Sequence, residues 1–312
     1  MAKTTIWIAA LVLAAAPRGA FAQLSGNDYR NDRGVAAGTQ PEPGLYLAGW
    51  YFHYTTDTLK DASGTQVVVS ASSSLNGFAP AVTWVTPLKV LGAHIGMFAL
   101  LPAQTQDFDL AQHLVDRSTG FGLGDLYVQP LVLGWHAPRA DAIAAFGVYA
   151  PTGRFSPAAL NNTGLGMTTL EWSAGTTVYL DEERHWNAAT VAYWETHGEK
   201  RDTTTTVGRL LTLKGGLGFS PARDSTVIGG AYYAQWKVTA DTFDAPVLDA
   251  VASASKSRIF AAGPDITVPI VAGGGLLTIV NVRAEWEFGV HNATQGVNVL
   301  ITATFPIGQE HK

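Results

Sequence analysis

Val280-Asn281-Val282-Arg283-Ala284-Glu285-Trp286-Glu287-Phe288 alternates strictly between apolar and polar side chains. In an extended chain Val280, Val282, Ala284, Trp286 and Phe288 share one face, while Asn281, Arg283, Glu285 and Glu287 share the other. In a soluble sandwich the apolar face would meet a core and the charged face water. In a transmembrane barrel the apolar face meets lipid and the charged face lines the lumen. Alternation alone does not choose between the two, so the choice rests on the rest of the chain.

The same pattern recurs upstream and downstream. Leu170, Trp172, Ala174 and Val178 oppose Glu171, Ser173 and Thr177; Ile228, Tyr232, Ala234, Trp236 and Val238 oppose Tyr233, Gln235 and Lys237. Val297, Val299, Ile301, Ala303 and Phe305 oppose Asn298, Thr302 and Thr304. Read this way, the sequence predicts twelve strands, six of them near 44–54, 76–86, 92–102, 123–136, 141–151 and 167–180. The other six fall near 185–197, 205–219, 225–239, 256–269, 276–291 and 296–307. An even count suits a closed single-chain barrel with both termini on one side.

The links between these strands alternate in length. Thr86–Leu91, Ala137–Ala140, Asp181–Arg184, Ser220–Asp224 and Ile270–Gly275 are short. Thr55–Leu75, Ala103–Gly122, Thr152–Gly166, Gly198–Thr204 and Ala240–Ser255 are long. Short turns on one side and long loops on the other are the two ends of an outer-membrane barrel, an ordering a sandwich has no reason to adopt. The link Asn292–Gln295 is short where a long one is due.

At the N-terminus, Lys3 precedes an uncharged apolar run from Ile6 to Ala16, followed by the small-x-small site Ala20-Phe21-Ala22. This three-part pattern predicts a signal peptide over 1–22, and the run is about half the ~20 apolar residues a helical span needs. The expected organisation is then a polar segment over 23–43, periplasmic or folded into the lumen as a partial plug, a barrel over 44–307 and a tail over 308–312. No later stretch is long and apolar enough for a helical span. Loss of Lys3 and Arg18 would take the formal charge from −5 to −7, which argues against a nucleic-acid partner. Cysteine is absent, so an exported chain of this size must draw its stability from a large core or from a membrane.

Aromatic residues cluster near the predicted strand ends. Trp50, Trp84, Trp135, Trp172, Trp186, Trp194, Trp236 and Trp286 are the expected interfacial girdle residues. Trp186 and Trp194 share a face; their separation at ~3.3 Å per residue and ~40° tilt spans ~20 Å of height, which suits two girdles. The inward charges Glu171, Lys214, Lys237, Asp265, Arg283, Glu285 and Glu287 are the expected lumen lining, either as a selectivity region or plug contact or as ion pairs that hold the barrel closed.

The chemistry-bearing motifs do not point to an enzyme. Gly120-Phe121-Gly122-Leu123-Gly124 precedes a strand instead of opening a helix after one, so it is not a dinucleotide loop. The eight histidines show no zinc-ligand spacing, and His185 beside Asp181, Glu182 and Glu183 reads as a charged turn at a membrane rim. A barrel can carry a Ser/His/Asn set that hydrolyses lipid esters, but no Gly-x-Ser-x-Gly motif is present, nor a serine and histidine on one outward strand face. No catalytic residue, cofactor or metal is therefore expected.

Four motifs carry a family resemblance: Gly38 with Pro41-Glu42-Pro43-Gly44-Leu45-Tyr46, Gly122-Leu123-Gly124-Asp125-Leu126-Tyr127-Val128-Gln129-Pro130, Pro151-Thr152-Gly153-Arg154, and Glu285-Trp286-Glu287-Phe288. In these the chain resembles the outer-membrane family described as the meta-pathway phenol-degradation protein, grouped with transporter-like barrels related to the pore of the functional-amyloid secretion system. Phe305 and Pro306-Ile307 resemble the closing strand, although Gly308–Lys312 extend past it. The resemblance implies one barrel of about twelve strands that passes small, often aromatic or hydrophobic, compounds. The expected partners are thus outer-membrane lipid and a small-molecule permeant, in the outer membrane of a bacterial cell, with no oligomeric state assigned. Rival readings are a gated pore that exports a polypeptide partner, an outer-membrane lipid hydrolase, and a soluble periplasmic β-protein used for binding.

Overall fold

The computed structural model describes residues 25–67, 71–110, 115–157, 159, 162–222, 225–243, 256–273 and 275–307. The expected signal peptide, Gln23, Leu24 and the tail over 308–312 lie outside the described residues. Fifteen strands follow one another without an intervening helix among the described residues: β1 (Gly44–Lys60), β2 (Ala71–Val90), β3 (Ala93–Leu100), β4 (Ala103–Leu110) and β5 (Val115–Ser118). Next come β6 (Gly122–Leu123), β7 (Leu126–Ala137), β8 (Ala140–Ala150), β9 (Thr169–Tyr179) and β10 (Trp186–His197). The last five are β11 (Leu210–Phe219), β12 (Val227–Lys237), β13 (Arg258–Ala272), β14 (Gly275–His291) and β15 (Ala293–Ile307).

Every pairing among the described residues is antiparallel, and β1 bonds to both β2 and β15, with Leu45 opposite Ile307, which closes the sheet on itself. Closure leaves no open edge around the girth of the barrel, which lipid would not tolerate; among the described residues β5 and β6 pair on one side only, with β4. The fifteen segments fill twelve staves, because two staves are broken. β2 pairs with β3 along one half and with β4 along the other, so β3 and β4 are one stave interrupted at Leu101-Pro102. β5 and β6 pair with β4 and β7 with β3, so these three make up the next stave. The fold is an all-β, up-and-down, antiparallel transmembrane barrel of twelve staves.

Two of the links expected to be loops are largely strand. Thr55–Lys60 and Ala71–Leu75 extend β1 and β2 on either side of the expected loop Thr55–Leu75, and Ala103–Leu110 forms β4. Their faces are polar on both sides (Ser72, Ser73 and Ser74; Gln104, Gln106 and Asp107), so hydrophobic alternation, the signal used to find strands, is missing there. Backbone pairing continues regardless, with Ser74 opposite both Thr55 and Asp107. At the opposite end, β2 and β3 turn through Leu91 and Gly92 alone, at φ 51° and 81°. Two positive φ values are the signature of the type I′ hairpin, and Gly92 supplies the freedom this requires.

Outward faces are apolar: Phe78 and Trp84 on β2, Leu217 on β11, Val282, Trp286 and Phe288 on β14 are all exposed. Inward faces bury charge: Glu171, Glu195, Lys214, Asp265 and Glu285 have at most 1% of their surface exposed. That inversion of the soluble pattern is what separates a barrel in lipid from a sandwich in water.

Candidate functional site

The lumen is occupied. Residues 25–43 form no strand and run through it from the long-loop end to the short-turn end, where β1 begins. At the long-loop end, Asn27 and Asp28 donate their backbone N–H groups to Glu195 Oε1 at 2.9 and 3.1 Å. Asn27 also bonds Asp125 and accepts from Thr169 at 2.6 Å. Midway, Lys214 Nζ donates to Asp28, to Asp32 Oδ1 at 2.7 Å and to Tyr29 O at 2.8 Å, with the Tyr193 ring 4.2 Å away. Arg283 binds Asp265 Oδ2 through Nε and Nη2, and donates Nη1 to Asn31 O at 2.7 Å. Asp265 Oδ2 also accepts Val35 N–H at 3.0 Å. At the short-turn end, Gly38 N–H bonds Thr177 and Thr39 bonds Asp141, each at 3.0 Å.

Glycines of the arm allow this close approach. A Cβ on Gly34 would lie 1.9 Å from Asp265 Oδ2, and one on Gly38 would lie 2.2 Å from the Thr176 backbone. Only glycine fits where the arm touches the wall this closely.

Each expected lumen residue points inward. Lys214, Asp265 and Arg283 grip the arm directly, and Glu287 joins them through Arg30 at 3.2 Å. Glu287 also accepts Tyr233 OH at 2.6 Å, Tyr54 OH at 3.0 Å and Gly296 N–H at 2.7 Å. Glu171 accepts from the Tyr127 hydroxyl instead of from a cation. Lys237 stands apart at the long-loop end, bound to Asp241 at 2.9 Å. Neither oxygen of Glu285 has a hydrogen-bond partner, although the residue is wholly buried.

The reading of the sequence missed Glu195, which alternation should have found: it lies between Trp194 and Thr196 on the face opposite the tryptophan. It also missed an aromatic wall. Trp50 and Phe52 on β1, Phe98 on β3, Tyr127 on β7 and Tyr149 on β8 face the lumen across from the charged staves. Trp50 and Phe98 have ring centroids 5.9 Å apart, Phe98 and Tyr127 6.0 Å, and Tyr127 and Tyr149 stack at 4.1 Å. Tyr29 of the arm meets Phe52 at 5.0 Å.

Trp50 was expected in a girdle and is corrected here: it faces in. On β1 Tyr46 and Phe52 are buried and Ala48 and Trp50 are half-buried on the same face, packed with Phe52, while Leu45, Leu47 and Tyr51 are exposed. Both faces are apolar, so composition could not tell lumen from lipid. The other seven tryptophans of the expected girdle face outward at two heights. Trp172 sits opposite Trp194, and Trp236 is separated from Trp194 by Leu211; Trp286 lies opposite Ala262. Trp84, Trp135 and Trp186 lie near the short turns, with Trp186 packed on Phe219 at 4.9 Å and Trp135 bonded to Leu91 O at 3.0 Å.

Ligand atoms of Asp181, Glu183 and His185 come within 4.8 Å of one another at an exposed turn. Asp181 is committed to the turn itself, accepting Trp186 N–H at 2.7 Å and His185 N–H at 2.8 Å, and the Trp186 bond, chief among several, lowers its pKa.

The sequence profile of a family described as "Putative MetA-pathway of phenol degradation" matches residues 56–303. No curated protein sequence matches the chain. Among solved structures, the chain is similar to the COG4313 outer membrane channel from Pseudomonas putida F1, with TM-score 0.74 and 16% identity over 90% of this chain and 98% of that one. The β-domain of the Bordetella autotransporter BrkA aligns at TM-score 0.47 and 10% identity, over 85% of this chain and 100% of the other. A Pseudomonas aeruginosa FadL homologue aligns at 0.42 and 7%, over 92% and 96%.

Proposed function

Because the chain belongs to the family described as "Putative MetA-pathway of phenol degradation", we propose that it is a bacterial outer-membrane pore for passive or facilitated passage of small aromatic or hydrophobic molecules. The observation that carries this reading is the lumen's two-sided lining: a wall of packed rings from β1 to β8 faces a wall of buried charge from β9 to β14. A ring with a polar substituent is matched by both walls, through stacking on one and hydrogen bonding on the other. The fold shared with an outer-membrane channel of Pseudomonas putida F1 supports the same reading.

In this reading the apolar outward faces contact lipid, the tryptophans at two heights lie at its interfaces, the short turns face the periplasm and the long loops face outward. The arm is a plug that must shift for a permeant to pass. Polar contacts hold it more than apolar burial does, since Val35 and Ala37 are its buried hydrophobic residues. Hydrogen bonds to charged groups, at about 1.5–3 kcal/mol each, suit a plug that stays in place yet can be released.

Liposome swelling tests the proposal. Purified protein should need detergent, migrate differently on gels before and after heating, and admit phenyl glucoside faster than empty liposomes do. Swelling no faster than that of empty liposomes, from both the whole protein and a form lacking residues 25–39, would overturn it.

A further inference from the structure

Acidic groups outnumber basic ones on the lumen wall. Glu171, Glu195, Asp265, Glu285 and Glu287 face inward from β9, β10, β13 and β14 and are at most 5% exposed. Lys214 and Arg283 are the cations set among them. The arm does not correct the imbalance, since it brings Asp28 and Asp32 together with Arg30 and Arg33. The Lys237–Asp241 pair at the long-loop end adds nothing either way. The wall therefore carries an excess of acid with the arm in place or withdrawn.

Several of these acids also keep oxygens without partners. Both carboxylate oxygens of Glu285 and one oxygen each of Glu171 and Glu195 are buried without a hydrogen bond. A buried carboxylate with no partner is costly, and a cation brought alongside relieves the cost. The aromatic wall acts in the same direction, because ring faces attract cations through their quadrupole. The two walls meet where the Tyr127 hydroxyl donates to Glu171 Oε1, whose other oxygen has no partner, so rings and acid border one passage. A permeant with a ring and a positive charge satisfies both, whereas one with a negative charge meets repulsion from the acids and from the ring faces.

We propose that the lumen selects by charge, admitting small aromatic cations in preference to small aromatic anions. This rests on the reading of the chain as a pore for aromatic compounds, and the experiment separates the two. Full-length protein in a planar bilayer is placed across a gradient of phenyltrimethylammonium chloride and, separately, of sodium benzenesulfonate; both carry permanent charges and do not cross lipid unaided. The reversal potentials should give a permeability ratio of about tenfold in favour of the cation, the low end of what a charged cleft with low-dielectric walls does to local ion concentration.

Glu171→Gln combined with Glu285→Gln should lower that ratio by about threefold while leaving heat-modifiable gel migration intact. If the pair fails to fold, Glu285→Gln alone should lower it by a smaller factor. A ratio at or below one in the wild type, or a ratio unmoved in a folded variant, overturns the charge selectivity and leaves the pore standing. Neither ionic current nor uptake of phenyl glucoside would overturn both.

Discussion

Lys214 makes more contacts with the arm than any other side chain described above, and it has no spare partner to fall back on. Its Nζ is shared among Asp28, Asp32 and the Tyr29 carbonyl, all wholly or largely shielded from water. Lys214→Met keeps the stem and removes the charge, which strands two carboxylates in the lumen at a cost of about 3–5 kcal/mol. The arm should then become sensitive to protease and the channel open more often; an arm still protected would show that the other contacts suffice. Lys200 offers a different test, outside the membrane-spanning staves. Burial lowers its pKa from 10.5 to about 8, against the pull of Asp125 and Asp241, while its Nζ holds Leu165 O at 2.8 Å. Between about 8 and 10.5 the unfolded chain binds the proton and the folded loop does not, so local stability rises with pH across that window. Below it the penalty is complete, at up to about 3 kcal/mol. Amide exchange in residues 198–209, corrected for its intrinsic pH dependence, should slow over that range, and Lys200→Met should flatten the slope. Of these contacts, the sequence revealed that Lys214 faces inward, from the period of its strand, but not that its partners lie 182 and 186 residues away.

At the scale of elements, legibility followed the hydrophobic period. All twelve staves were visible where lipid imposes an apolar outward face, as along Leu170–Val178 and Val280–Phe288. Beyond that band nothing forces alternation, so Ala71–Leu75 and Ala103–Leu110 looked like loops although their backbones are fully paired. The arm is a harder case. It has no period because it is neither strand nor helix, and its polar residues could equally have faced the periplasm. Its path is fixed by glycine at contact points and by charges placed on distant strands, and a single chain records neither as a pattern. Gly34→Ala tests that account at the level of the arm as a unit. The new methyl would sit 1.9 Å from Asp265 Oδ2 and 2.3 Å from Arg283 Nη2. Since Asp265 and Arg283 hold each other, neither can yield cheaply, and the whole arm should lift from the wall. Larger single-channel conductance is the expected result, with the barrel's heat-modifiable migration unchanged; conductance equal to the wild type would mean that the arm can seat itself without the close approach.

For the molecule as a whole, the decisive fact is closure, and an even count of strands suggested it without being able to prove it. A sheet of twelve staves could remain open, or β1 could pair with a neighbouring copy; what makes the barrel one unit is the ladder from Leu45–Ile307 to Lys60–Ala293. The complete absence of cysteine makes that ladder directly testable. Ala48 and Thr304 are partners in it, and both belong to the inward set of their strands, in step with buried Tyr46 on one and buried Leu300 on the other. Directly opposed residues in an antiparallel pair have Cα atoms roughly 4.5–5.5 Å apart, within the range a disulfide spans. Ala48→Cys with Thr304→Cys should therefore oxidise within one chain, tying the first stave to the last. After boiling without reductant, the cross-linked chain is a ring with a short tail and should run faster than the same chain reduced. Cross-linked dimers in place of the fast ring would show that β1 and β15 meet between copies, and no cross-link at all would mean that the two staves are not neighbours in the assembled protein.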